Sequence, residues 1–390
     1  MSIKNVDIVV GIPTLNEAAT ISDVTQRVDQ GLQEFFPELK AAIVNADNRS
    51  TDRTKEAFLT TRTKTEKVYL PTPANVVGKG ENLRNLLNYA AMRKATAVAT
   101  FDGDLQSIRP SWVRDMIAPV LVSNFDFAYP VYERHRFDGT TTNLICYPIV
   151  YGVFCSDVRQ PIAGDFAFSG RFVDHLIALT WPSTALGFGV DILVSTEAIV
   201  GEMNVCGVQL GQKIHRRKER STLGPLAIEV LDTLIRQIKK HRLTLENGRR
   251  LRQHRIVAVD QVRRRCPPVA IDRKLVAQQF LEASAKHLAM YQLSLAPPLY
   301  HHLKKALDEQ RVPDIDYERW CDIVYRLIGS AVSSRQSCAA VAMGLVPLYF
   351  ARMLTFAKTV APMDDLEFET YVRSQAEYFF THRQKLGLQS

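Results

Sequence analysis

The beginning of the chain repeats one local order twice, a buried strand followed by a polar loop and then a helix. The first strand is predicted over Val6 to Ile12, and a loop, Pro13 to Glu17, leads into a helical pattern over Ala18 to Phe36. A second strand, Ala41 to Ala46, runs into the polar loop Asp47 to Asp52. Strands that alternate with helices in this way predict a parallel sheet with a ligand site at its loop edge.

Two carboxylates one residue apart follow the apolar run Ala97 to Phe101. This run is rich in strand-forming residues and predicts a buried central strand. Asp102 and Asp104 would then lie at its carboxyl end, where open α/β sheets bind ligands, and Gly103 would let a diphosphate or a metal approach. Carboxylates completed by substrate phosphates suit a hard divalent cation. Because Asp and Gly are also common in turns, the pattern alone leaves both readings open.

Three later motifs add polar groups to the same predicted sheet edge. Gly78-Lys79-Gly80 opens a helix without the spacing of a P-loop, and its lysine is suited to contact a diphosphate. The segment from Gly139 to Thr142 precedes an apolar helix predicted over Leu144 to Phe154, and such a helix start suits a carboxylate. His215 follows a strand predicted over Met203 to Leu210 and could complete the coordination of a metal, although a single histidine is usually structural.

Charge and cysteine content exclude several classes of protein. The formal net charge is +8, and Lys213 to Arg265 holds 16 Lys or Arg against 5 Asp or Glu. That stretch has no interleaved aromatic residues or named motif, so we expect no nucleic-acid binding. The 6 cysteines form no Cys-x-x-Cys pair, which argues against a disulfide framework or a zinc site and favours a reducing cytoplasm.

No signal peptide or membrane span is predicted. Met1 to Asn5 lead directly into a strand-like run. The longest nearly apolar runs are Leu144 to Ser156 and Ser337 to Ala351, and both fall short of the roughly 18 residues that a bilayer crossing needs. We therefore expect a cytoplasmic protein without an integral membrane segment.

The sequence pattern changes near residue 222, which predicts domains over 1–222 and 223–390. Strand signals largely disappear beyond Leu223, and we expect an all-helical second domain. Its predicted helices are Leu226 to Lys240, Lys274 to Leu293, Tyr317 to Ile328, Ala339 to Thr359 and Leu366 to Gln384.

Taken in order, these motifs resemble retaining glycosyltransferases of the GT-A fold. The likeness is greatest to the glucosyl-3-phosphoglycerate synthases and mannosylglycerate synthases, and its specific motifs run from Pro13 to His215, including Gln160 to Asp165 and Gly189-Val190-Asp191. The resemblance implies an α/β, Rossmann-like GT-A nucleotide-sugar domain followed by an all-helical C-terminal domain.

The resemblance also implies roles for the matching positions on the donor side. The nucleotide base and ribose would be surrounded by Pro13, Leu15, Glu17 and Asn48. Lys79 would contact the diphosphate, and Asp102 would lie at the ribose and the sugar. Asp104 and His215 would bind a divalent metal, Mg²⁺ or Mn²⁺.

Further positions would contact the transferred sugar and the acceptor. Gly164 and Asp165 would line the donor sugar, while Asp191 would orient the sugar or the acceptor hydroxyl as a catalytic residue together with Asp102. The carboxylate of the acceptor would be received by Gly139, Thr140, Thr141 and Thr142.

The reaction implied by the resemblance moves glucose or mannose from UDP-glucose or GDP-mannose to D-glycerate or a related small carboxylate, as in compatible-solute synthesis. The phosphoglycerate enzymes carry Gly-Arg where this chain has Gly139-Thr140, which favours an acceptor without a phosphate. Transfer to 3-phosphoglycerate stays open, because phosphate contacts could come from Arg134, Arg136, Arg216 and Arg217.

Two other functions stay open. One is an inverting transferase acting on a polyprenyl phosphate at the membrane face, with the basic stretch as its anchor, although the chain lacks a Gln-x-x-Arg-Trp motif. The other is a non-enzymatic nucleotide-sugar sensor. For any of these the partners are small molecules, and a symmetric homodimer is the default expectation.

Overall fold

The computed structural model describes residues 5–73, 78–215, 223–246, 250–257 and 266–387. The chain divides into two compact units. The first unit comprises Met1–Arg134, Arg159–Glu219 and His254–Pro267, and the second comprises His135–Val158, Arg220–Gln253 and Pro268–Ser390. The chain thus changes units close to the predicted boundary at residue 222, but an earlier segment, His135–Val158, also belongs to the second unit. The prediction that residues 223–390 are all-helical is wrong at His254–Pro267, because this segment belongs to the first unit and contains a strand, Arg255–Val257, that pairs with the sheet.

The strands of the first unit form a mixed sheet in the order β3-β2-β1-β4-β6-β5-β7-β8. Their bounds are β1 Ile8–Thr14, β2 Ala41–Asp47, β3 Glu66–Pro71, β4 Ala97–Thr100, β5 Phe127–Glu133, β6 Ala167–Ser169, β7 Val205–Gln212 and β8 Arg255–Val257. Among the strands of the described residues, β6 is the only one that runs antiparallel to its neighbours, which are β4 and β5. The predicted α/β fold, Rossmann-like in the manner of GT-A enzymes, is confirmed.

The α-helices divide between the two units. The first unit contains α1 Ile21–Phe35, α2 Thr54–Thr60, α3 Lys79–Met92, α4 Pro110–Val122, α6 Gly170–Ala178 and α7 Val190–Val200. The second unit contains α5 Tyr147–Val153, α8 Leu223–Lys240, α9 Arg242–Glu246, α10 Arg273–Ser284, α11 Leu288–Ser294, α12 Pro297–Asp308, α13 Tyr317–Val332, α14 Cys338–Val360 and α15 Asp365–Thr381.

The centre of the sheet is formed by β1 and β4, which pair in parallel with Val10 opposite Ala99. Strand β4 is buried along its length and β1 is buried except at Pro13, as expected for apolar strands covered on both faces. The ends of β1, β2 and β4 therefore lie at one edge of the sheet, which positions the polar residues that follow each strand.

Helix α14 contains Pro347 and extends beyond the apolar run Ser337 to Ala351, as the helix predicted over Ala339 to Thr359 does. By length and composition it is the one helix in the described ranges that could cross a membrane, which the sequence analysis did not predict. However, 72% of its most apolar window is buried inside the protein, as in the core helix of a folded domain.

The predicted helix over Leu144 to Phe154 begins earlier and is irregular. Thr142–Cys146 form a π-helical turn before α5. The long helix predicted over Lys274 to Leu293 is interrupted by a 3₁₀ turn at Ala285–His287. Apolar spacing predicted both segments as helical but could not indicate where the helical pitch changes.

Candidate active site

Polar residues next to three strands meet at one edge of the sheet. β4 ends at Thr100, just before Asp102, and β7 ends at Gln212, just before Lys213. Because β6 runs in the opposite direction, the residue that precedes it, Asp165, lies at the same edge. The backbone N–H of Asp102 donates to Asp165 Oδ1 over 2.7 Å, which joins the two loops directly.

Three carboxylates and two ammonium groups alternate along this edge. Lys213 Nζ lies 2.7 Å from Asp165 Oδ2 and 3.1 Å from Asp102 Oδ2. Lys79 Nζ lies 3.2 Å from Asp102 Oδ1 and 3.3 Å from Asp191 Oδ2. We call this set, Asp165, Lys213, Asp102, Lys79 and Asp191, the charge chain. Asp102 is at its centre because each of its oxygens faces a different lysine.

One end of the charge chain is fixed by further hydrogen bonds. Tyr132 donates its hydroxyl to Asp165 Oδ2 over 2.7 Å, and Lys213 Nζ also donates to the carbonyl of Ala163 over 2.9 Å. The side chains of Lys213 and Asp165 are 3% and 0% exposed. Buried and fully bonded charges of this kind hold one geometry, so this end of the chain is preorganised.

The other end of the charge chain is partly open to solvent. The side chains of Lys79 and Asp102 are each 21% exposed, and that of Asp191 is 12% exposed. A ligand can therefore reach the oxygens of Asp102 and the ammonium group of Lys79. These two groups have the charges needed to contact a sugar hydroxyl and a phosphate respectively.

Burial and mutual attraction set the protonation of the charge chain. Burial disfavours the ammonium forms of Lys79 and Lys213, but the neighbouring carboxylates outweigh it and raise the pKa of both lysines. Burial also raises the pKa of Asp191, and Lys79 opposes that shift. At neutral pH both lysines therefore stay cationic. The positive charge of Lys79 favours the ionised form of Asp191.

The two glycines beside Lys79 let the start of α3 pack closely on another loop. A Cβ on Gly80 would lie 1.9 Å from the carbonyl oxygen of Ala185, and one on Gly78 would lie 2.1 Å from that of Leu186. The N–H of Gly80 donates to the carbonyl of Gly187 over 3.0 Å. This loop leads into α7, whose first turn carries Asp191, so the Gly-Lys-Gly motif brings Lys79 to Asp191.

Two other glycines at this edge are required by packing. Gly164 has a φ of +91°, and a Cβ there would lie 2.7 Å from Asp102 Oδ2 and 2.9 Å from Lys79 Nζ. A Cβ on Gly103 would lie 2.6 Å from the side chain of Thr14. The sequence analysis attributed Gly103 to the approach of a diphosphate or a metal, whereas here the close neighbour is the end of β1.

Asp104 and His215 lie on adjacent backbone segments. Leu105 and His215 form an isolated antiparallel bridge, and the N–H of Gln106 donates to the carbonyl of Ile214 over 2.9 Å. This pairing brings the backbones of residues 104 and 215 together. The described residues contain no group of three or more His, Cys, Asp or Glu side chains that could hold a metal ion by themselves. A carboxylate and an imidazole fit a metal whose remaining ligands are substrate phosphates and water.

The residues predicted to surround the nucleotide lie in two loops that are tied together. The N–H of Glu17 donates to Thr54 Oγ1 and the N–H of Asn48 to the carbonyl of Thr14. Leu15 is 49% exposed beside these bonds and is available to a ligand. Pro13, near the end of β1, is partly exposed and pairs with Ala46.

Asp47 has a structural role in this loop pair. Its carboxylate accepts hydrogen bonds from Thr14 Oγ1, Ser50 N, Ser50 Oγ and Tyr69 Oη, at 2.5 to 2.9 Å. It is fully buried and joins the ends of β1, β2 and β3. The sequence analysis placed Asp47 in a ligand-binding loop, but its hydrogen bonds are used within the protein.

The predicted acceptor segment Gly139 to Thr142 lies in the second unit. Thr140 Oγ1 is 2.7 Å and Thr141 Oγ1 is 3.2 Å from the hydroxyl of Tyr349, which is on α14. Arg136 donates to the carbonyls of Val360 and Met363 at the end of the same helix. The guanidinium of Arg136 is therefore occupied by the protein.

Two arginines from the sequence analysis, Arg216 and Arg217, lie outside the described residues. The same holds for residues 216–222, 247–249 and 258–265 of the basic stretch. Arg134 is described, and its guanidinium lies 5.7 Å from the ring centroid of Tyr132, close to the charge chain.

Sequence reasoning missed Lys213 as a site residue, although its position directly after β7 is a signal that could have identified it.

Residues 9–175 match the model of the Glycosyl transferase family 2. Over these residues the chain is similar to family 2 glycosyltransferases. Curated relatives of this glycosyltransferase include the glucosyl-3-phosphoglycerate synthase of Mycobacterium tuberculosis, 26% identical over 243 residues that cover 57% of this chain and 71% of the relative. The enzyme of the same name from Mycolicibacterium smegmatis is 26% identical over 240 residues, or 57% of this chain and 75% of the relative. The predicted enzyme class, a hexosyltransferase, is confirmed.

Solved structures similar to this glycosyltransferase include complexes of the Mycobacterium tuberculosis glucosyl-3-phosphoglycerate synthase. One contains Mn²⁺, UDP and glucosyl-3-phosphoglycerate, with 24% identity, a TM-score of 0.49 and coverage of 60% of this chain and 80% of that chain. Another contains Mg²⁺ and UDP, with 24% identity, a TM-score of 0.48 and coverage of 60% and 79%.

Proposed function

We propose that this glycosyltransferase moves glucose or mannose from a nucleotide sugar to D-glycerate or a related small carboxylate, with a divalent metal and with retention of the anomeric configuration. The observation that carries this proposal is the charge chain at the loop edge of the sheet, in which Asp102 accepts from Lys79 and Lys213. An enzyme that handles a diphosphate and a sugar needs cations and carboxylates fixed side by side. We also propose a cytoplasmic location and a symmetric homodimer.

Asp104 and His215 are the residues that would hold the metal, Mg²⁺ or Mn²⁺. The antiparallel bridge between Leu105 and His215 supports this assignment, because it places the two backbone segments next to each other. The metal, when bound, would stabilise negative charge on the leaving diphosphate. The glucosyl-3-phosphoglycerate synthase complexes with Mn²⁺ or Mg²⁺ and UDP suggest the same pairing of cofactor and nucleotide.

Each group of the charge chain would have a distinct part in the reaction. Lys79 would donate to the diphosphate as negative charge develops on it. Asp102 would accept from hydroxyl groups of the ribose and the sugar. Asp191, at the start of α7, would orient the acceptor hydroxyl or the sugar, and Gly164 would line the sugar. The side chain of Asp165 is fully buried, so it would act on the sugar site by fixing Lys213 and the backbone of Asp102. Fixing the two substrates in one orientation would supply much of the remaining rate enhancement.

The nucleotide would lie against the first two loops. Leu15 offers an exposed apolar side chain to the base, next to Pro13. Glu17 and Asn48 would bind hydroxyl or base groups from the tied loop pair. A preorganised loop pair lowers the entropy lost when a ligand binds, which supports this assignment.

The acceptor would bind by its carboxylate at Gly139 to Thr142. Arg136 donates to carbonyls at the end of α14, so it is occupied by the protein and a phosphate would have to displace those bonds. This arrangement favours D-glycerate over 3-phosphoglycerate. A second candidate is transfer to 3-phosphoglycerate, which is favoured by the name of the curated relatives and by the position of Arg134 beside the charge chain.

Release of nucleoside diphosphate by the purified protein with magnesium tests the proposal. UDP-glucose and GDP-mannose are each combined with D-glycerate and with 3-phosphoglycerate. We expect turnover with D-glycerate and one of the donors. Turnover with 3-phosphoglycerate alone would establish the second candidate instead. Silence in all four combinations would contradict both and favour a polyprenyl-phosphate acceptor or a sensor, which binding to anionic vesicles and donor binding without turnover would distinguish.

A further inference from the structure

The segment proposed to receive the acceptor leads into a widened helical turn. Thr142–Cys146 are π-helical, and all five residues are buried. A π turn displaces backbone carbonyls from their usual α-helical partners, and such turns frequently occur at functional sites. Buried carbonyls need other hydrogen-bond partners, which in this protein come from the helical unit.

Two side chains of the helical unit donate to this turn. Trp320, on α13, donates its indole N–H to the carbonyl of Leu144 over 2.6 Å. Gln375, on α15, donates its amide N–H to the carbonyl of Asn143 over 2.7 Å. Trp320 and Gln375 are both fully buried. Two successive carbonyls of the turn thus accept hydrogen bonds, each from a side chain on a different helix, and these bonds hold the turn.

A buried arginine fixes the orientation of the Gln375 amide. Arg352 Nη2 donates to Gln375 Oε1 over 2.9 Å, which directs the amide N–H towards Asn143. Arg352 is fully buried and also donates to the carbonyl of Ile315 and the hydroxyl of Tyr371. A buried cation is costly unless its N–H groups are bonded, so this arginine depends on the same network.

Tyr349 fixes the start of the same segment. Its hydroxyl can donate one hydrogen bond and accept another, and it lies within hydrogen-bond distance of both Thr140 and Thr141. Burial raises the pKa of Tyr349 to about 12, although the two threonine hydroxyls oppose the shift. The phenol therefore stays protonated at neutral pH and keeps both threonines in place.

We propose that Tyr349 and Gln375 are positioning residues for the acceptor, and that the helical unit thereby sets acceptor affinity. This inference rests on the proposed acceptor role of Gly139 to Thr142. Neither residue need touch the substrate. They act by holding the threonine hydroxyls and the π turn, so their loss should change the KM for the acceptor while the KM for the donor stays the same.

Tyr349→Phe tests the proposal because it keeps the ring and removes only the shared hydroxyl. A lost hydrogen bond of this kind predicts a rise in the acceptor KM of roughly 3- to 10-fold. The KM for the nucleotide sugar and the rate of donor hydrolysis without acceptor should be unchanged. The matched control is Tyr291→Phe, because Tyr291 is also fully buried in the helical unit and donates to a carbonyl, that of Gly344, over 2.7 Å.

Gln375→Glu is the second variant, since it keeps an acceptor for Arg352 but removes the N–H that Asn143 requires. It should raise the acceptor KM in the same direction, and its Tm shows whether it folds. An unchanged acceptor KM in a folded Tyr349→Phe enzyme would overturn this inference and leave the proposed function intact. An equal rise in Tyr291→Phe would also overturn it. A wild-type enzyme that transfers sugar to neither D-glycerate nor 3-phosphoglycerate would instead overturn the proposed function.

Discussion

Lys213 separates two carboxylates that would otherwise face each other at the loop edge. It lies 2.7 Å from Asp165 and 3.1 Å from Asp102, and it is buried. Coulomb repulsion between two poorly solvated carboxylates is large at such distances, so a cation between them fixes their positions. Asp102 can then present its other oxygen to Lys79 and to a ligand.

Replacing Lys213 with methionine should lower stability and weaken donor binding together. Removing one partner of a buried ion pair leaves an uncompensated charge and costs about 3 to 5 kcal/mol. We expect a lower midpoint of denaturation in urea and a weaker affinity for the nucleotide sugar by calorimetry. Lys385→Met is the matched control, because it breaks the ion pair with Asp322 in the helical unit and should leave donor affinity unchanged. Unaltered donor binding in a folded Lys213→Met protein would contradict this role.

The pH dependence of turnover should report on Asp191. Burial raises the pKa of this carboxyl above its ordinary value, and Lys79 limits the shift. If the carboxylate orients a substrate, activity falls as the pH drops through this raised pKa. The acidic limb of the pH profile of kcat should therefore lie at a higher pH than the pKa of an ordinary carboxyl group. Asp191→Asn should have low activity without that limb. An acidic limb that persists unchanged in Asp191→Asn would assign it to another group.

Metal affinity is the property that distinguishes Asp104 and His215 from the other polar residues of the edge. Even residues that only support a metal ligand change metal affinity by about 10- to 100-fold, so Asp104→Asn and His215→Ala should each raise the magnesium concentration at half-maximal activity by at least about tenfold. The exposed His301 provides a control, since His301→Ala should not change it. A magnesium requirement that is the same in all three variants would exclude this pair as ligands.

At the scale of elements, the start of α3 decides where Lys79 lies. Gly80 has no room for a side chain, because its Cβ would meet the carbonyl of Ala185. Gly80→Ala should displace the first turn of the helix, separate Lys79 from Asp191 and abolish most of the turnover. Gly224→Ala is a close match, since Gly224 is also the second residue of its helix and its Cβ would meet only Phe350 at 3.6 Å. Full activity of Gly80→Ala would show that this packing does not position Lys79.

The strands and helices of the sheet follow local signals closely enough to be predicted. Helix α4 begins at Pro110 and ends at Val122, and a proline at its start is a local signal because proline favours the first turn of a helix. Strand β3, Glu66–Pro71, was not predicted, since it is half-exposed at the edge of the sheet and lacks an apolar run. Its pairing with β2 is a tertiary interaction that its own sequence does not indicate.

Some of the site residues could also be predicted from local signals, and others could not. Asp102 and Asp104 follow a short apolar strand that is buried throughout, and that local context identifies them. Lys213 and Asp165 are 48 residues apart in sequence, and their ion pair depends on β6 running antiparallel to β4. Strand direction is a property of the whole sheet, so no local pattern indicates that pairing.

At the scale of the whole molecule, one segment of the amino-terminal half belongs to the helical unit. His135–Val158 lies before β6 in sequence but packs with α13, α14 and α15. A single boundary near residue 222 cannot assign this segment to the second unit. The sequence pattern reports local structure, whereas the assignment depends on packing between residues that are distant in sequence. The proposed acceptor residues therefore depend on helices that are about 200 residues later.

Calorimetric titration of the purified protein with UDP-glucose and GDP-mannose, with magnesium or with a chelator, is the most direct test of the donor site. We expect one nucleotide sugar to bind in the presence of magnesium, at least about tenfold more tightly than with the chelator, because the two protein ligands need diphosphate oxygens to complete the metal's coordination. The binding should weaken in Asp104→Asn. Equal binding of the sugar nucleotide with and without magnesium, or no binding of either donor, would contradict a metal-dependent nucleotide-sugar site at this edge of the sheet.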